Sequence, residues 1–183
     1  MRILLFATGA LNTCFLPVWI NWMTANRAGD SIDIVLSEHA TEFVAVRSVA
    51  ALTGEPVAID RWDDPVLLGR SPSPHTWLAG HDAILICPAT LNTLSRIAAI
   101  DASTPMLNAV QCTAAPVFLA PNLPPGADRN PAVRALLDEL RTRATVVEPV
   151  SRPSVSVPDN ALVTPPIWDV FAVVDAESAA RAA

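Results

Sequence analysis

Short apolar runs alternate with longer mixed runs along the chain, and this pattern predicts strands that alternate with helices. The run Ala83–Cys87 is wholly apolar, which is typical of a strand covered on both faces. The predicted strands are residues 2–7, 31–36, 56–59, 83–87, 116–119 and 144–148. The predicted helices are residues 11–27, 38–52, 91–99, 105–113, 131–143 and 167–174. This βαβα order predicts an α/β fold with a doubly wound parallel sheet, in one domain over residues 1–183.

Two stretches interrupt this pattern and are predicted to be loops. Residues 61–74 are polar and rich in turn formers, with room for one helical turn, and residues 151–166 are proline-rich without periodicity. Pro17 falls inside the first predicted helix, so it either kinks that helix or marks where its regular part begins.

The composition of the chain leads to expectations about its cellular location and its binding partners. The chain is 51% hydrophobic and only 16% charged, so we expect part of its surface to be buried in a homo-oligomer. Its apolar runs are shorter than the roughly 18 residues of a membrane span, and no signal-type cleavage site follows the N-terminus, so we expect a cytoplasmic protein. A net charge of −6 argues against nucleic-acid binding.

Missing residue types and motifs exclude several classes of enzyme. All 12 basic residues are arginine, so the chain cannot form a pyridoxal phosphate Schiff base or carry a Walker A lysine. It contains no tyrosine to act as an acid, base or phosphate ligand. Without an H-E-x-x-H or C-x-x-C motif we expect no metal site, and without a G-x-S-x-G motif a serine hydrolase is disfavoured. The widely spaced Cys14, Cys87 and Cys112 are predicted to be buried free thiols.

Polar side chains follow three of the predicted strands, where open α/β sheets bind ligands. Gly9 permits close backbone approach beside a helix N-terminus that could hold a phosphate, although by itself it fits an ordinary turn. Ser37 has the same placement after the second strand and by itself fits a helix cap. Thr90, Asn92 and Thr93 add donors and acceptors after the fourth strand. His75 lies shortly before that strand and would, in isolation, be an unremarkable loop histidine.

The ordered combination of these features is more specific than any one of them. The run Pro-Ala-Thr-Leu-Asn-Thr at 88–93 resembles the P-A-S-A-N-T motif of the homo-oligomeric flavin-containing cysteine decarboxylases. The turn at 8–11, the S-E-H-A run at 37–40 and the H-x-x-L run at 75–78 support the resemblance by their order and spacing, across roughly residues 1–145. That family includes peptidyl-cysteine decarboxylases such as the epidermin enzyme, phosphopantothenoylcysteine decarboxylases and, as relatives, flavin prenyltransferases.

The resemblance implies a flavodoxin-like, Rossmann-like fold with FMN at the carboxyl edge of the sheet, partly between the subunits of a homotrimer or of a larger assembly of trimers. His75 matches the family's active-site histidine, although it lies one residue closer to the fourth strand than is common. The positions that match the family's cofactor-binding residues are Gly9, Ala10, Ser37, Pro88, Ala89, Thr90, Asn92 and Thr93.

Departures from the family pattern concern the substrate. Pro124 stands where the family has an asparagine that contacts the substrate carboxylate, and proline has no side-chain donor. Asn122, Arg129 and Arg152 are the candidate replacements, and we favour Asn122, whose alternative role is simply to shape the proline-rich turn. The acidic-and-asparagine stretch that the family usually has after the motif helix is also missing, and Ala-Ser-Thr stands there at 102–104.

The same resemblance favours one branch of the family. Residues 148–166 contain neither Cys nor Gly, whereas the phosphopantothenoylcysteine branch uses a Cys-containing, Gly-rich flap to reduce its intermediate. The prenyltransferase branch uses tyrosine, which this chain lacks. We therefore expect an FMN-dependent oxidative decarboxylase that converts a peptide's C-terminal cysteine to an aminoenethiol during biosynthesis of a ribosomally made modified peptide, with 151–166 as a substrate flap. The alternatives are a phosphopantothenoylcysteine-type decarboxylase of a small substrate and a non-catalytic flavin-binding subunit.

Overall fold

Six parallel strands form the central sheet of the computed structural model, which describes residues 1–155 and 157–182. The strands are β1 (Arg2–Ala7), β2 (Ser31–Leu36), β3 (Ala58–Ile59), β4 (Ala83–Thr90), β5 (Val117–Asn122) and β6 (Thr145–Val146). Their spatial order is β3-β2-β1-β4-β5-β6. The chain therefore winds outward in both directions from β1 and β4, as predicted. In such sheets the ligand site lies at the carboxyl ends of the strands, where the order reverses.

Helices cover both faces of this sheet. They are α1 (Leu16–Asn26), α2 (Val46–Thr53), α3 (Pro65–Arg70), α4 (Pro74–Ala79), α5 (Leu91–Ala98), α6 (Pro105–Cys112), α7 (Pro131–Arg141) and α8 (Ile167–Ala182), with short 3₁₀ helices at Leu11–Phe15, Glu38–Glu42 and Ala127–Arg129. Across the described residues, none of these helices has the length and apolarity needed to cross a bilayer.

Alternate residues of β1 enter two separate hydrophobic cores. Ile3 and Leu5 pack with α1, α2 and α8, while Leu4 and Phe6 pack with the core formed by α3 to α7. Successive side chains of a strand point to opposite faces, so a strand between two helical layers must be apolar at every position. This explains why the interior strands appear in the sequence as continuous apolar runs.

Two of the predicted helices begin as 3₁₀ helices. The predicted helix 11–27 starts with the 3₁₀ turn Leu11–Phe15, and Pro17 lies in the first turn of α1, so the proline marks where the regular helix begins. The predicted helix 38–52 is divided because Ala45, with φ −72° and ψ 124°, is extended between the 3₁₀ helix and α2. A single helix at 38–52 is therefore wrong.

Residues 61–74 were predicted to be a loop with one helical turn, and they contain more helix than that: all of α3 and the first residue of α4. Asp64 begins α3 by accepting hydrogen bonds from the amides of Val66 and Leu67, both at 3.0 Å, and Pro65 occupies the first turn. A carboxylate cap followed by proline is a strong helix start, even in a segment rich in turn formers. The second helix, α4, places His75 in its first turn and not in a loop.

The prediction that 151–166 is a structureless loop is also wrong. Strands β7 (Val150–Pro153) and β8 (Asn160–Val163) pair in an antiparallel hairpin. Pro153 lies at the end of β7, where the missing N–H disturbs the ladder least. The last predicted helix, 167–174, continues to Ala182.

The cysteines are only partly as predicted. Cys87 is buried in β4, and burial raises the pKa of its thiol well above its ordinary value. Cys14 and Cys112 are exposed, so the prediction that they are buried is wrong. Each belongs to a helix with one solvent-facing side, whereas Cys87 belongs to a strand covered on both faces.

Candidate functional site

Thr8 joins the carboxyl ends of the two central strands. Its hydroxyl donates to the Pro88 carbonyl at 2.6 Å and accepts from the Thr90 amide at 3.0 Å. The side chain is 1% exposed. Gly9 and Ala10 of this turn were predicted from the sequence as site residues and Thr8 was not, although its hydroxyl directly follows an apolar strand.

The motif at 88–93 forms the end of β4 and the start of α5. The Thr90 hydroxyl accepts from the Thr93 amide at 3.3 Å and hydrogen-bonds the Thr93 hydroxyl at 2.9 Å. Asn92, one position before Thr93, is exposed. The helix start is thus fixed by side chains, with the Asn92 amide free to contact a ligand.

Gly9 and Ser37 bring the ends of β1 and β2 together. A Cβ atom on Gly9 would lie 2.5 Å from the Cβ of His39, so any larger residue would push the two turns apart. Ser37 caps the 3₁₀ helix after β2, where its hydroxyl accepts from the Ala40 amide at 3.2 Å. Both residues therefore have the local roles that their types suggest and also lie at the same sheet edge.

A polar cavity of about 540 Å³ opens at this edge. Five of the eight predicted cofactor-binding residues line it: Gly9, Ser37, Thr90, Asn92 and Thr93. The other lining residues are Phe6, Glu38, His39, Glu42, Phe43, Asp60, Arg96, Thr104 and Leu107. Ala10, Pro88 and Ala89 are buried and are absent from its described lining. The volume falls in the range of roughly 300–1,000 Å³ for small-molecule sites, and the hydroxyl and amide donors fit a phosphorylated flavin.

Four charged residues that line the polar cavity were not predicted as site residues: Glu38, Glu42, Asp60 and Arg96. Asp60, just after β3, accepts from the Met106 amide at 2.8 Å, and burial raises the pKa of its carboxyl. Arg96 lies one turn after Asn92 on α5 and donates to Asp101 at 2.7 Å. The hydrogen bond from Arg96 lowers the pKa of Asp101 to about 2. The positions of Asp60 after a strand and of Arg96 four residues after Asn92 were the available clues.

A second cavity, of about 620 Å³, lies under the β7–β8 hairpin, and we call it the hairpin cavity. Its walls are mainly apolar and include Phe15, Trp19 and Trp168. Arg152 is the one charged side chain among its described lining residues, and Asn12 and Asn122 supply amides. Arg152 and Asn122, two of the three predicted substrate residues, are thus brought together.

The third predicted substrate residue lies elsewhere. Arg129 is absent from the described lining of the hairpin cavity, its side chain is 68% exposed, and it donates to Asp159 at 2.8 Å. The two cavities adjoin because Thr90, which lines the polar cavity, pairs in register with Asn122 of β5, which lines the hairpin cavity.

The three histidines have different surroundings. His39 lines the polar cavity. His81 is buried and hydrogen-bonded, through Nε2 to Asp33 at 2.9 Å and through Nδ1 to the Leu78 carbonyl at 3.0 Å, which is a structural arrangement. In the part of the chain that the structure describes, His75 lines neither cavity, and no group of three or more His, Cys, Asp or Glu side chains is placed to hold a metal.

Comparisons with known proteins point the same way. The Flavoprotein family model, described as "Flavoprotein", matches residues 1–177. Cypemycin cysteine dehydrogenase (decarboxylating) from a Streptomyces species is 31% identical over 118 residues, which is 64% of this chain and 60% of that enzyme. The coenzyme A biosynthesis bifunctional protein CoaBC of Thermococcus kodakarensis is 30% identical over 122 residues, 63% of this chain and 28% of that protein. The chain thus spans less than two thirds of either relative.

One solved structure covers nearly the whole chain. The crystal structure of TvaF, an FMN-dependent cysteine decarboxylase from thioviridamide biosynthesis, superposes with a TM-score of 0.73 at 26% identity. The superposition covers 94% of each chain. The likeness therefore includes the hairpin and α8, which lie beyond the part of the sequence that carried the resemblance.

Proposed function

The chain belongs to the Flavoprotein family, and from this membership we propose that it is an FMN-dependent oxidative decarboxylase of a peptide's C-terminal cysteine, in the biosynthesis of a modified peptide. The observation that carries the proposal is the pair of adjoining cavities. One is polar and is lined by Thr90, Asn92 and Thr93 of the 88–93 motif, and the other is mainly apolar with one cationic side chain, Arg152, among its described lining residues. The cypemycin and thioviridamide enzymes support the proposal by the reactions in their names.

FMN belongs in the polar cavity under this proposal. Ser37, Thr90, Asn92 and Thr93 supply donors there, and Gly9 leaves the backbone accessible. Bound FMN would accept the two electrons and two hydrogens that leave the cysteine side chain. Ala10, Pro88 and Ala89 would act through the backbone, because they are buried and are absent from the described lining of the cavity.

The peptide's C-terminus belongs in the hairpin cavity. Removing two hydrogens from the Cβ–SH unit gives a thioaldehyde, whose sulfur accepts the electron pair when the bond from Cα to the carboxylate breaks. Carbon dioxide leaves and an aminoenethiol remains. A carboxylate buried without a partner costs several kcal/mol, so it needs a donor. Arg152 and the Asn122 amide line this cavity and replace the donor lost at Pro124, whereas Arg129 is exposed and paired with Asp159.

His75 has a proposed catalytic role that requires a second subunit. Among the described residues of its own chain it lines neither cavity. To act as an acid or base, His75 must therefore reach the site of a neighbouring copy. We therefore propose a homotrimer, or a larger assembly of trimers, in which His75 of one copy completes the site of the next. The cytoplasmic location stays a prediction.

The test is incubation of the FMN-loaded protein with a peptide that ends in a free cysteine, followed by mass spectrometry. We expect loss of one carbon dioxide and two hydrogens, and no change in a matched peptide with a C-terminal amide. No mass change in the free-acid peptide contradicts the proposal. Turnover of phosphopantothenoylcysteine instead supports the small-substrate alternative, which the CoaBC similarity motivates, and flavin binding with no turnover of either supports a non-catalytic subunit.

Arg152→Ala tests where the substrate carboxylate lies. A charge-assisted hydrogen bond contributes about 1.5–3 kcal/mol, so we expect KM for the free-acid peptide to rise by roughly 10- to 150-fold, with flavin content unchanged. Arg129→Ala is the matched control, and its KM should equal that of the parent. Equal KM values in the two variants contradict the assignment of Arg152.

A further inference from the structure

The ring of His75 packs against an exposed tryptophan. The centroids of the His75 and Trp62 rings are 5.9 Å apart and the rings are inclined at 66°, an edge-to-face arrangement. Trp62 is 42% exposed, although tryptophan side chains are on average largely buried. The pairing joins the loop after β3 to the first turn of α4.

Trp62 is itself held firmly. Its indole N–H donates to the Ser103 carbonyl at 2.7 Å. Ser103 is in turn fixed twice, since its amide donates to Asp101 at 2.7 Å and its hydroxyl accepts from Arg96 at 2.5 Å. Arg96 lines the polar cavity. The stretch at 102–104 that departs from the family pattern therefore supplies the carbonyl that holds Trp62.

His75 lacks the hydrogen bonds that usually orient a functional imidazole. Its Nδ1 atom is buried and has no hydrogen-bond partner among residues 1–155 and 157–182. In the described part of the chain, the one polar partner of its Nε2 atom is the Thr76 hydroxyl, at 3.5 Å, which is at the outer limit for a hydrogen bond. An active histidine is normally oriented by a hydrogen bond to the other ring nitrogen, so here the orientation must come from packing.

The other histidine–tryptophan pair shows the contrast. His81 and Trp77 are also edge-to-face, with centroids 5.0 Å apart. His81 is nevertheless fixed by hydrogen bonds at both ring nitrogens, so its orientation does not depend on Trp77. Among the described residues, His75 has the ring contact with Trp62 and the long 3.5 Å contact with the Thr76 hydroxyl.

We propose that Trp62 is a positioning residue for His75, which it orients through the edge-to-face contact while the Ser103 carbonyl holds the indole in place. This rests on the proposed function, in which His75 is the catalytic acid or base. Trp62, like His75, is absent from the described linings of both cavities of its own chain. Its proposed effect on the reaction is through the His75 ring that it contacts.

The experiment compares Trp62→Leu, Trp62→Phe and the control Trp22→Leu. Trp22 packs on Phe171 in the opposite core and lies outside the described linings of both cavities. The first measurement is the rate at which diethyl pyrocarbonate modifies His75, His39 and His81, read by peptide mass spectrometry. The second is kcat and KM for a free-acid cysteine peptide, with flavin content checked.

In Trp62→Leu we expect faster modification of His75 alone, and a fall in kcat of about tenfold with KM unchanged, because a misplaced catalytic group slows the chemical step. Trp62→Phe keeps a ring but loses the bond to Ser103, so it should fall between Trp62→Leu and the parent. Trp22→Leu should leave the modification rate of His75 unchanged; it is a control for that measurement alone, because Trp22 also packs on Trp168 of the hairpin cavity.

An unchanged His75 modification rate in Trp62→Leu overturns the proposal, and so does faster modification with an unchanged kcat. A parent protein that binds FMN but does not decarboxylate the peptide overturns the proposed function instead. In that case the modification rates still decide whether Trp62 orients the His75 ring.

Discussion

Thr8→Val should loosen the junction on which the polar cavity is built. The substitution nearly preserves shape but removes the hydroxyl that bridges the Pro88 carbonyl and the Thr90 amide. The carbonyl keeps a weaker bond from the Thr8 amide, at 3.3 Å, while the partly buried Thr90 amide loses the Thr8 acceptor. Leaving a buried donor unpaired costs about 1–3 kcal/mol. For a chain of this length that corresponds to a fall in Tm of roughly 2–12 °C.

The assay is urea unfolding followed by circular dichroism, at one fixed protein concentration because assembly alters the apparent stability. Thr142→Val is the matched control, since the Thr142 hydroxyl makes one exposed bond, to the Glu139 carbonyl at 2.7 Å. We expect that control to stay within about 0.5 kcal/mol of the parent. FMN retention should fall in Thr8→Val only, because Thr90 lines the cavity. Equal unfolding free energies in the two variants would refute the reasoning.

Three further outcomes follow from the same geometry. Asn92→Ala should weaken FMN retention more than Asn12→Ala, because Asn92 lines the polar cavity and Asn12 the hairpin cavity; equal retention in a dialysis assay contradicts this placement. His75→Ala should keep its flavin and lose decarboxylation by roughly 10²-fold, and full turnover in the peptide assay would show that the histidine is not catalytic. The hydrogen bond from His81 lowers the pKa of Asp33. The ionised Asp33 therefore stabilises the fold fully above the unfolded pKa of about 3.9, and this stabilisation is lost as pH falls through the lower folded pKa. Unfolding free energies measured from neutral to acidic pH should therefore fall less in Asp33→Asn than in the parent, and parallel curves contradict this contribution.

The central sheet could be predicted because strands that are buried on both faces appear in the sequence as continuous apolar runs. The extent of β4 could not, since the strand continues past Pro88 through register pairs with β5, Ala89 with Pro121 and Thr90 with Asn122. That pairing depends on a strand almost thirty residues further along the chain. The hairpin was missed for a related reason, because its proline content hid a short antiparallel pairing.

The candidate site was only partly visible in the sequence. Gly9, Ser37 and the 88–93 motif could be placed together, because the carboxyl ends of parallel strands share one edge. Contacts that depend on the packed structure could not be predicted. The Asp60 carboxylate reaches an amide of α6, and Trp62 reaches the Ser103 carbonyl, in each case more than forty residues away. The catalytic role of His75 stays a prediction, and its position in a helix and outside the described linings of its own chain's two cavities was not apparent from the sequence.

The most direct test of the account is whether the purified chain binds FMN. Its absorption spectrum should show the near-ultraviolet and visible bands of an oxidised flavin. Denaturation should release the flavin, because it is not covalently attached. If the cofactor is lost during purification, added FMN should bind at one site per chain. A colourless protein that fails to bind added FMN would contradict the placement of the 88–93 motif in the polar cavity, and with it the proposed decarboxylase.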